Sequence, residues 1–220
     1  MSGRSIKDLF GVGEFPFTFL CYPQRIVMNP VSAIGIAWIA WFVSWWLAAV
    51  WSNPTVKQPA AGREIPYRLV VIVGTFLLAG LYPHRFSSEI VLWRAGITFG
   101  WAMVALAVAG FLFMWWARIH LGKLWSAGVR LKTGHHIVDT GPYGLVRHPI
   151  YTGIIVAGFA SALLRGTVAG FLGATLMTVS WYIKARMEEV FLREQLGADA
   201  YDAYARRVPM LVPSLKRNKS

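Results

Sequence analysis

Ala95 to Ala117 reads AGITFGWAMVALAVAGFLFMWWA, 23 positions without a charged side chain. A helix rising about 1.5 Å per residue carries such a stretch across about 30 Å of hydrocarbon. Val31 to Trp51 supplies a second uncharged run of 21 positions. Leu69 to Pro83 is shorter, is bounded by Arg68 and by His84-Arg85, and needs snorkelling flanks or tilted neighbours to cross. Ile150 to Ile183 is interrupted only by Arg165, beside Gly166. It reads as two antiparallel helices, 150–164 and 167–183, turning at Arg165-Gly166-Thr167. The expected fold is therefore all-α and integral to the membrane. It has about five transmembrane helices, a C-terminal helical hairpin and a cytoplasmic amphipathic helix.

Composition agrees. Of 220 residues, 56% are hydrophobic and 15% charged, where a soluble domain carries about a quarter charged residues. That balance excludes a disordered chain and most soluble enzymes. The single Cys21 forms no intramolecular disulfide and no cysteine-based zinc cage. Lys and Arg number 22 against 10 acids, a net charge of +12, which suits either nucleic-acid binding or basic loops beside a membrane. The distribution favours the loops. With three spans before residue 118, the N-terminus, the 84–94 loop and Arg165 hold 6 of the basic residues, and the opposite side holds 16. The positive-inside rule then puts the 52–68 loop, the 118–149 loop and the tail in the cytoplasm and the N-terminus outside. No nucleic-acid motif accompanies the charge.

The first 30 residues contain Asp8, Glu14 and several Pro and Gly, so no secretory signal is expected there. Leu9 to Leu20 suits an amphipathic interfacial element. Three regions result: an N-terminal interfacial segment over 1–30, three spans over 31–117, and a polar region over 118–220. Trp51, Trp93, Trp115, Trp116, Trp125 and Trp181 fall near span ends, where amphipathic rings favour the headgroup layer. Gly96 with Gly100, and Gly166, Gly170, Ala174 and Thr178, have the spacing of close helix packing.

Polar groups suited to chemistry gather after Arg118. HHIVDTGPYGLVRHPIYTG, residues 135–153, runs into the fourth span. Gly141-Pro142 favours a turn, and Pro149 suits a first helical turn because its missing N–H is unpaired there anyway. The fifth span runs into Lys184, Arg186, Glu188 and Glu189. A hairpin returns its two ends to one level, so Arg147-His148 can meet Arg186-Glu188-Glu189 across a small gap. Plainer readings exist: Arg147 as a topology anchor, Glu189 and Arg193 as an i,i+4 surface pair. The adjacent His135 and His136 lack a third ligand of clear spacing, so no metal site is expected. Beyond Glu188, helical character continues to Val208, with Gly197 ending one helix and Asp199 capping the next. This tail serves either as a surface helix on anionic lipid or as a lid on the site.

Two motifs carry a resemblance. His135-x-Ile137-Val138-x-x-Gly141-Pro142-Tyr143-x-x-x-Arg147-His148-Pro149-x-Tyr151-x-Gly153 resembles the signature of the isoprenylcysteine carboxyl methyltransferase family. So does Glu188-Glu189-x-x-Leu192 followed by Gly197-x-x-x-Tyr201-x-x-Tyr204-x-x-Arg207-Val208-Pro209. Phospholipid N-methyltransferases and some membrane sterol reductases are similar over the same region, roughly 118–213. The resemblance implies a helical membrane enzyme that binds S-adenosylmethionine on the cytoplasmic side without a Rossmann sheet. It implies that His135, Gly141, Tyr143, His148 and Pro149 line the cofactor pocket and that Glu188 holds its polar end. Arg147, Arg186 and Glu189 would then stand nearer the methyl acceptor as the catalytic group. Asp139 departs from the family pattern, which most often has Thr there.

The residue types suit the chemistry. Aromatic faces and a carboxylate hold a sulfonium cation, and methyl transfer needs acceptor, methyl and sulfur in line. An ionised carboxylate acceptor wants an orienting cation such as Arg147 or Arg186. An amine wants a proton acceptor such as Glu189 or His148. Both sets are present. Carboxyl O-methylation of an isoprenylcysteine-like group is the leading expectation. A phospholipid amine or a thiol is the alternative acceptor, with an NADPH-dependent lipid reductase or a non-catalytic membrane protein behind it. The expected partners are a lipid-like or prenylated acceptor and membrane lipids, not nucleic acid.

Overall fold

A computed structural model describes residues 28–57, 62, 64–82, 89–132, 134 and 136–214. The interfacial segment expected at 9–20, His84-Arg85, His135 and the basic end from Lys216 lie outside the described residues.

Six α-helices form among the described residues: α1 Pro30–Ala48, α2 Ile65–Ala79, α3 Ile97–Leu121, α4 Pro149–Arg165, α5 Val168–Leu196 and α6 Ala198–Arg207. Local chemistry sets their ends. Asn29 caps α1 by accepting from the Ser32 amide at 2.9 Å, with Pro30 in the first turn. α4 stops where Gly166 takes φ +63°, a left-handed conformation that costs glycine little. Thr167 then starts α5, its hydroxyl accepting from the Gly170 amide at 3.1 Å. α1 and α3 are long and apolar enough to cross a membrane, and α2 and α4 are shorter apolar helices.

α3 packs on α4, α2 on α5, α4 on α5 and α1 on α3. The closest approaches are made by glycines. A Cβ at Gly110 would lie 2.6 Å from the Gly153 carbonyl, and one at Gly173 would lie 2.6 Å from the Gly74 carbonyl. In a lipid solvent, where apolar burial gains little, such contact lets dispersion hold helices together. Of the expected small-residue rows, Gly100 makes such an approach, a Cβ there lying 2.8 Å from the Pro30 ring, while nothing lies within 4 Å of a Cβ at Gly96. α1 turns Ile39, Phe42, Trp46 and Leu47 outward.

A single cation closes one end of the bundle. Arg118 is wholly buried and donates to the carbonyls of Ala48 (2.9 Å), Trp51 (2.6 Å) and Gly122 (2.7 Å). Its guanidinium also lies over the rings of Trp51 and Trp125, 5.2 and 4.4 Å from their centroids. It thereby adds charged donors to carbonyls at and just beyond the C-termini of α1 and α3. The connection to α4 then makes a 3₁₀ turn at Gly122–Leu124 and a short antiparallel pairing of β1 (Thr55–Lys57) with β2 (Leu131–Lys132), followed by a second 3₁₀ turn at Gly141–Gly144.

Four local expectations are corrected. α5 does not stop near Ile183 but continues to Leu196, since Glu188 and Glu189 find partners in helical positions and no breaker precedes Gly197 (φ +98°). Asp199 sits in the first turn of α6, with Gly197 at the cap position and no side-chain cap bond. Arg193 pairs with Asp202, through two 2.8 Å hydrogen bonds, in place of Glu189. Trp125 is buried against Arg118, and Trp181 stacks on Tyr151, so these two rings face the interior.

Candidate active site where α4 begins

Pro149 opens α4, which leaves Arg147 and His148 as the last residues outside it. α5 runs back beside α4 and brings Glu188 and Glu189 to their level. Glu189 Oε1 accepts from Arg147 Nε at 2.7 Å and lies 3.2 Å from His148 Nε2. An ionised carboxylate only accepts, so His148 carries its proton on Nε2 in this contact. Burial pushes the Glu189 carboxyl upward, but the hydrogen bonds from His148 and Arg147 outweigh it and hold the group below the usual carboxylate range. Arg147 Nη1 donates to the Ala205 and Val208 carbonyls at 2.9 and 2.6 Å.

α6 and the segment after it are fastened over this cluster. The Arg147 and His148 amides donate to the Pro209 and Met210 carbonyls at 2.8 and 3.1 Å. The Thr152 hydroxyl donates to the Leu211 carbonyl at 2.6 Å. These bonds satisfy donors at the start of α4 that the helix itself leaves unpaired. Burial pushes the Tyr204 phenol upward, so it stays a donor, and it donates to the Tyr143 carbonyl at 2.8 Å. Asp139, the departure from the family pattern, pairs with Arg207 at 3.0 Å.

Beside the cluster stands a column of rings. His148 stacks on Tyr151 with centroids 5.3 Å apart, and Tyr151 on Trp181 at 5.1 Å. Glu188 borders the column beside His148. It lies 3.7 Å from His148 Nδ1 and 3.9 Å from Lys184 Nζ. Lys184 is buried, donates to the Ala127 carbonyl at 2.7 Å, and stands 5.2 and 5.3 Å from the Tyr151 and Trp181 ring centres. Its i−4 spacing from Glu188 was the sequence signal for this pairing.

These groups line the polar part of a cleft of about 970 Å³. Its apolar part runs between α1 and α2, along Trp38, Trp41 and Trp45 on one side and Val71 and Leu78 on the other. Of the residues named from sequence, Tyr143, Arg147, His148, Pro149 and Glu188 line the cleft. Gly141, Arg186 and Glu189 do not. Gly141 takes φ +56° against the His120 ring, Glu189 is buried behind Arg147 and His148, and Arg186 is 60% exposed and 3.9 Å from Glu189. A carboxylate with lone pairs to spare, beside aromatic faces, suits a sulfonium cation. The Trp181 indole N–H, buried and without a partner, offers a donor to a bound group.

Long apolar helices that end at a polar, ring-lined cleft have the construction of a membrane protein. Residues 97–199 match the family model described as phospholipid methyltransferase. Over that segment, just under half of the chain and holding most of the site, the protein is similar to this family. Among named relatives, a methanethiol S-methyltransferase of a Pseudomonas species is 41% identical over 36% of this chain and 28% of its own length. A nickel-cobalt-cadmium resistance protein of Alcaligenes xylosoxydans xylosoxydans is 30% identical over 54% of this chain and 55% of its own. Protein-S-isoprenylcysteine O-methyltransferase of Schizosaccharomyces pombe is 29% identical over 44% of this chain and 42% of its own. The matches thus span between 28% and 55% of these relatives' lengths.

Proposed function

We propose that the protein is a multi-pass membrane methyltransferase that uses S-adenosylmethionine and acts on a hydrophobic, membrane-partitioned acceptor. The observation that carries this reading is the Glu188 carboxylate beside the His148–Tyr151–Trp181 ring column, in the polar part of an apolar cleft. When bound, the donor supplies an electrophilic methyl group on a sulfonium. Tyr143, His148, Pro149 and Glu188 would hold it. Arg147 and Glu189 position His148 through their shared hydrogen bonds. The apolar acceptor reaches the site sideways between α1 and α2, so its tail never crosses water. The basic residues support an N-terminus outside and a site and C-terminus in the cytoplasm. The 118–220 region then acts as the catalytic part of one body with the spans.

Two acceptors are supported. The motifs favour carboxyl O-methylation of an isoprenylcysteine-like group. The similarity to a methanethiol S-methyltransferase favours transfer to a thiol. Calorimetry on detergent-purified protein should detect binding of S-adenosylhomocysteine, and well-folded protein that binds neither it nor S-adenosylmethionine in any lipid would refute the proposal. Membranes incubated with methyl-labelled donor separate the acceptors. Mild base releases label from an ester and leaves a thioether or methylamine intact.

A further inference from the structure

We propose that Lys184 is the acceptor-binding cation of this site and that the atom it holds is an anion, a thiolate or carboxylate, in preference to an amine. This rests on the methyltransferase reading above. Four Lys or Arg side chains line the cleft: Arg130, Arg147, Arg165 and Lys184. Arg147 gives Nε to Glu189 and Nη1 to two carbonyls, so its charge is already paired. Arg165 pairs with Glu89 at 2.9 Å at the opposite end of α4. Arg130 is exposed. Lys184 alone of the four is buried, at 4% exposure.

An ammonium has three N–H donors. Ala127 takes one at 2.7 Å, while Glu188 at 3.9 Å lies beyond hydrogen-bond reach. The Tyr151, Trp181 and Tyr67 rings stand 5.2, 5.3 and 6.0 Å from Nζ; they attract the charge but accept no strong hydrogen bond. Burying a cation with unspent donors is costly unless a ligand completes it. An anionic group arriving along the apolar cleft does so, and a charged amine arriving the same way is repelled. A carboxylate arrives ionised, whereas a thiol first loses its S–H proton to water; from the anion the reaction balances without further proton transfer. A lone pair of the thiolate or carboxylate forms the bond to the methyl carbon. The bond from that carbon to the donor sulfur breaks, and its electron pair stays on sulfur.

Native protein provides the first test. With S-adenosylhomocysteine present, N-acetyl-S-farnesylcysteine should bind about tenfold or more tightly than its carboxamide, measured by calorimetry. With labelled donor, octanethiol should be methylated and octylamine should not. Farnesylcysteine and octanethiol distinguish the carboxylate from the thiolate source. Lys184→Gln should raise KM for the preferred acceptor about 10- to 100-fold while leaving S-adenosylhomocysteine binding unchanged, and Lys184→Arg should restore much of the loss. A residue that only clamped Ala127 would move stability and cofactor binding instead, which would overturn the inference. Equal binding of carboxylate and carboxamide together with methylation of octylamine would also overturn it. So would transfer to phosphatidylethanolamine that Lys184→Gln leaves intact, with the methyltransferase reading still standing. Failure of native protein to bind S-adenosylhomocysteine brings down both. Should Lys184→Gln fail to fold, the native comparisons decide.

Discussion

Glu189 and Arg147, 42 residues apart in the chain, share a 2.7 Å hydrogen bond between carboxylate Oε1 and guanidinium Nε. Both side chains are nearly buried, at 10% and 11% exposure. The same Oε1 receives His148, and the same guanidinium holds the carbonyls of Ala205 and Val208. One ion pair thus joins the end of α5, the start of α4 and the segment that closes over them. Removing one partner of such a pair strands a buried charge, whatever the net worth of the pair itself.

Arg147→Ala should therefore cost about 3–5 kcal/mol of stability, read as the unfolding midpoint of purified protein in detergent. Glu189→Gln should cost less and shows a pH signature. A carboxyl held below its ordinary 4.5 contributes stability above that value, and the contribution is lost as pH falls through the lower folded value. The gap in Tm between native protein and Glu189→Gln should be largest near about pH 7 and close toward about pH 4. A gap that widens on acidification would contradict the assignment.

Helix contact can be tested at two glycines. A Cβ at Gly110 would press the Gly153 carbonyl at 2.6 Å, while one at Gly96 meets nothing within 4 Å. Gly110→Ala should destabilise by about 1–3 kcal/mol, and Gly96→Ala should leave Tm unchanged. Thermal melts of the two variants decide it.

Glu188→Gln removes the charge expected to face the donor and keeps the side-chain shape. Affinity for S-adenosylhomocysteine should fall about 10- to 100-fold. Unchanged affinity by calorimetry would remove Glu188 from the cofactor site.

Arg118→Lys keeps a cation yet loses the planar fork that reaches three carbonyls between two indoles. A loss of about 2 kcal/mol or more is expected. Tryptophan fluorescence should shift as Trp51 and Trp125 lose their shared contact.

Much of this was legible along the chain. The uncharged runs mark α1 and α3, Pro149 marks the first turn of α4, and Gly166 with Thr167 marks the turn into α5. Arg147 and His148 of the first motif and Glu188, Glu189, Val208 and Pro209 of the second are the residues the fold joins. Less legible was what each charge does. Arg147 and Arg186 read as equal candidates for the acceptor, yet one is locked into scaffolding and the other is 60% exposed. Lys184 read as the flank of a span and is instead the buried cation of the cleft.

Hydrophobic runs, breakers and caps act within a few residues, so the sequence by itself determined which segments are helical and which ends carry polar groups. Partner choice is different. Glu189 could have joined Arg193 one turn away, and joins Arg147 across 42 residues because α5 turns that face toward α4. Glycine contacts at 110 with 153 and at 74 with 173 set how closely the helices lie and hence which faces meet. Only the tertiary structure decided which cations are spent on carbonyls and which remains in the cleft, because the worth of a charge depends on its burial and on the groups left to answer it.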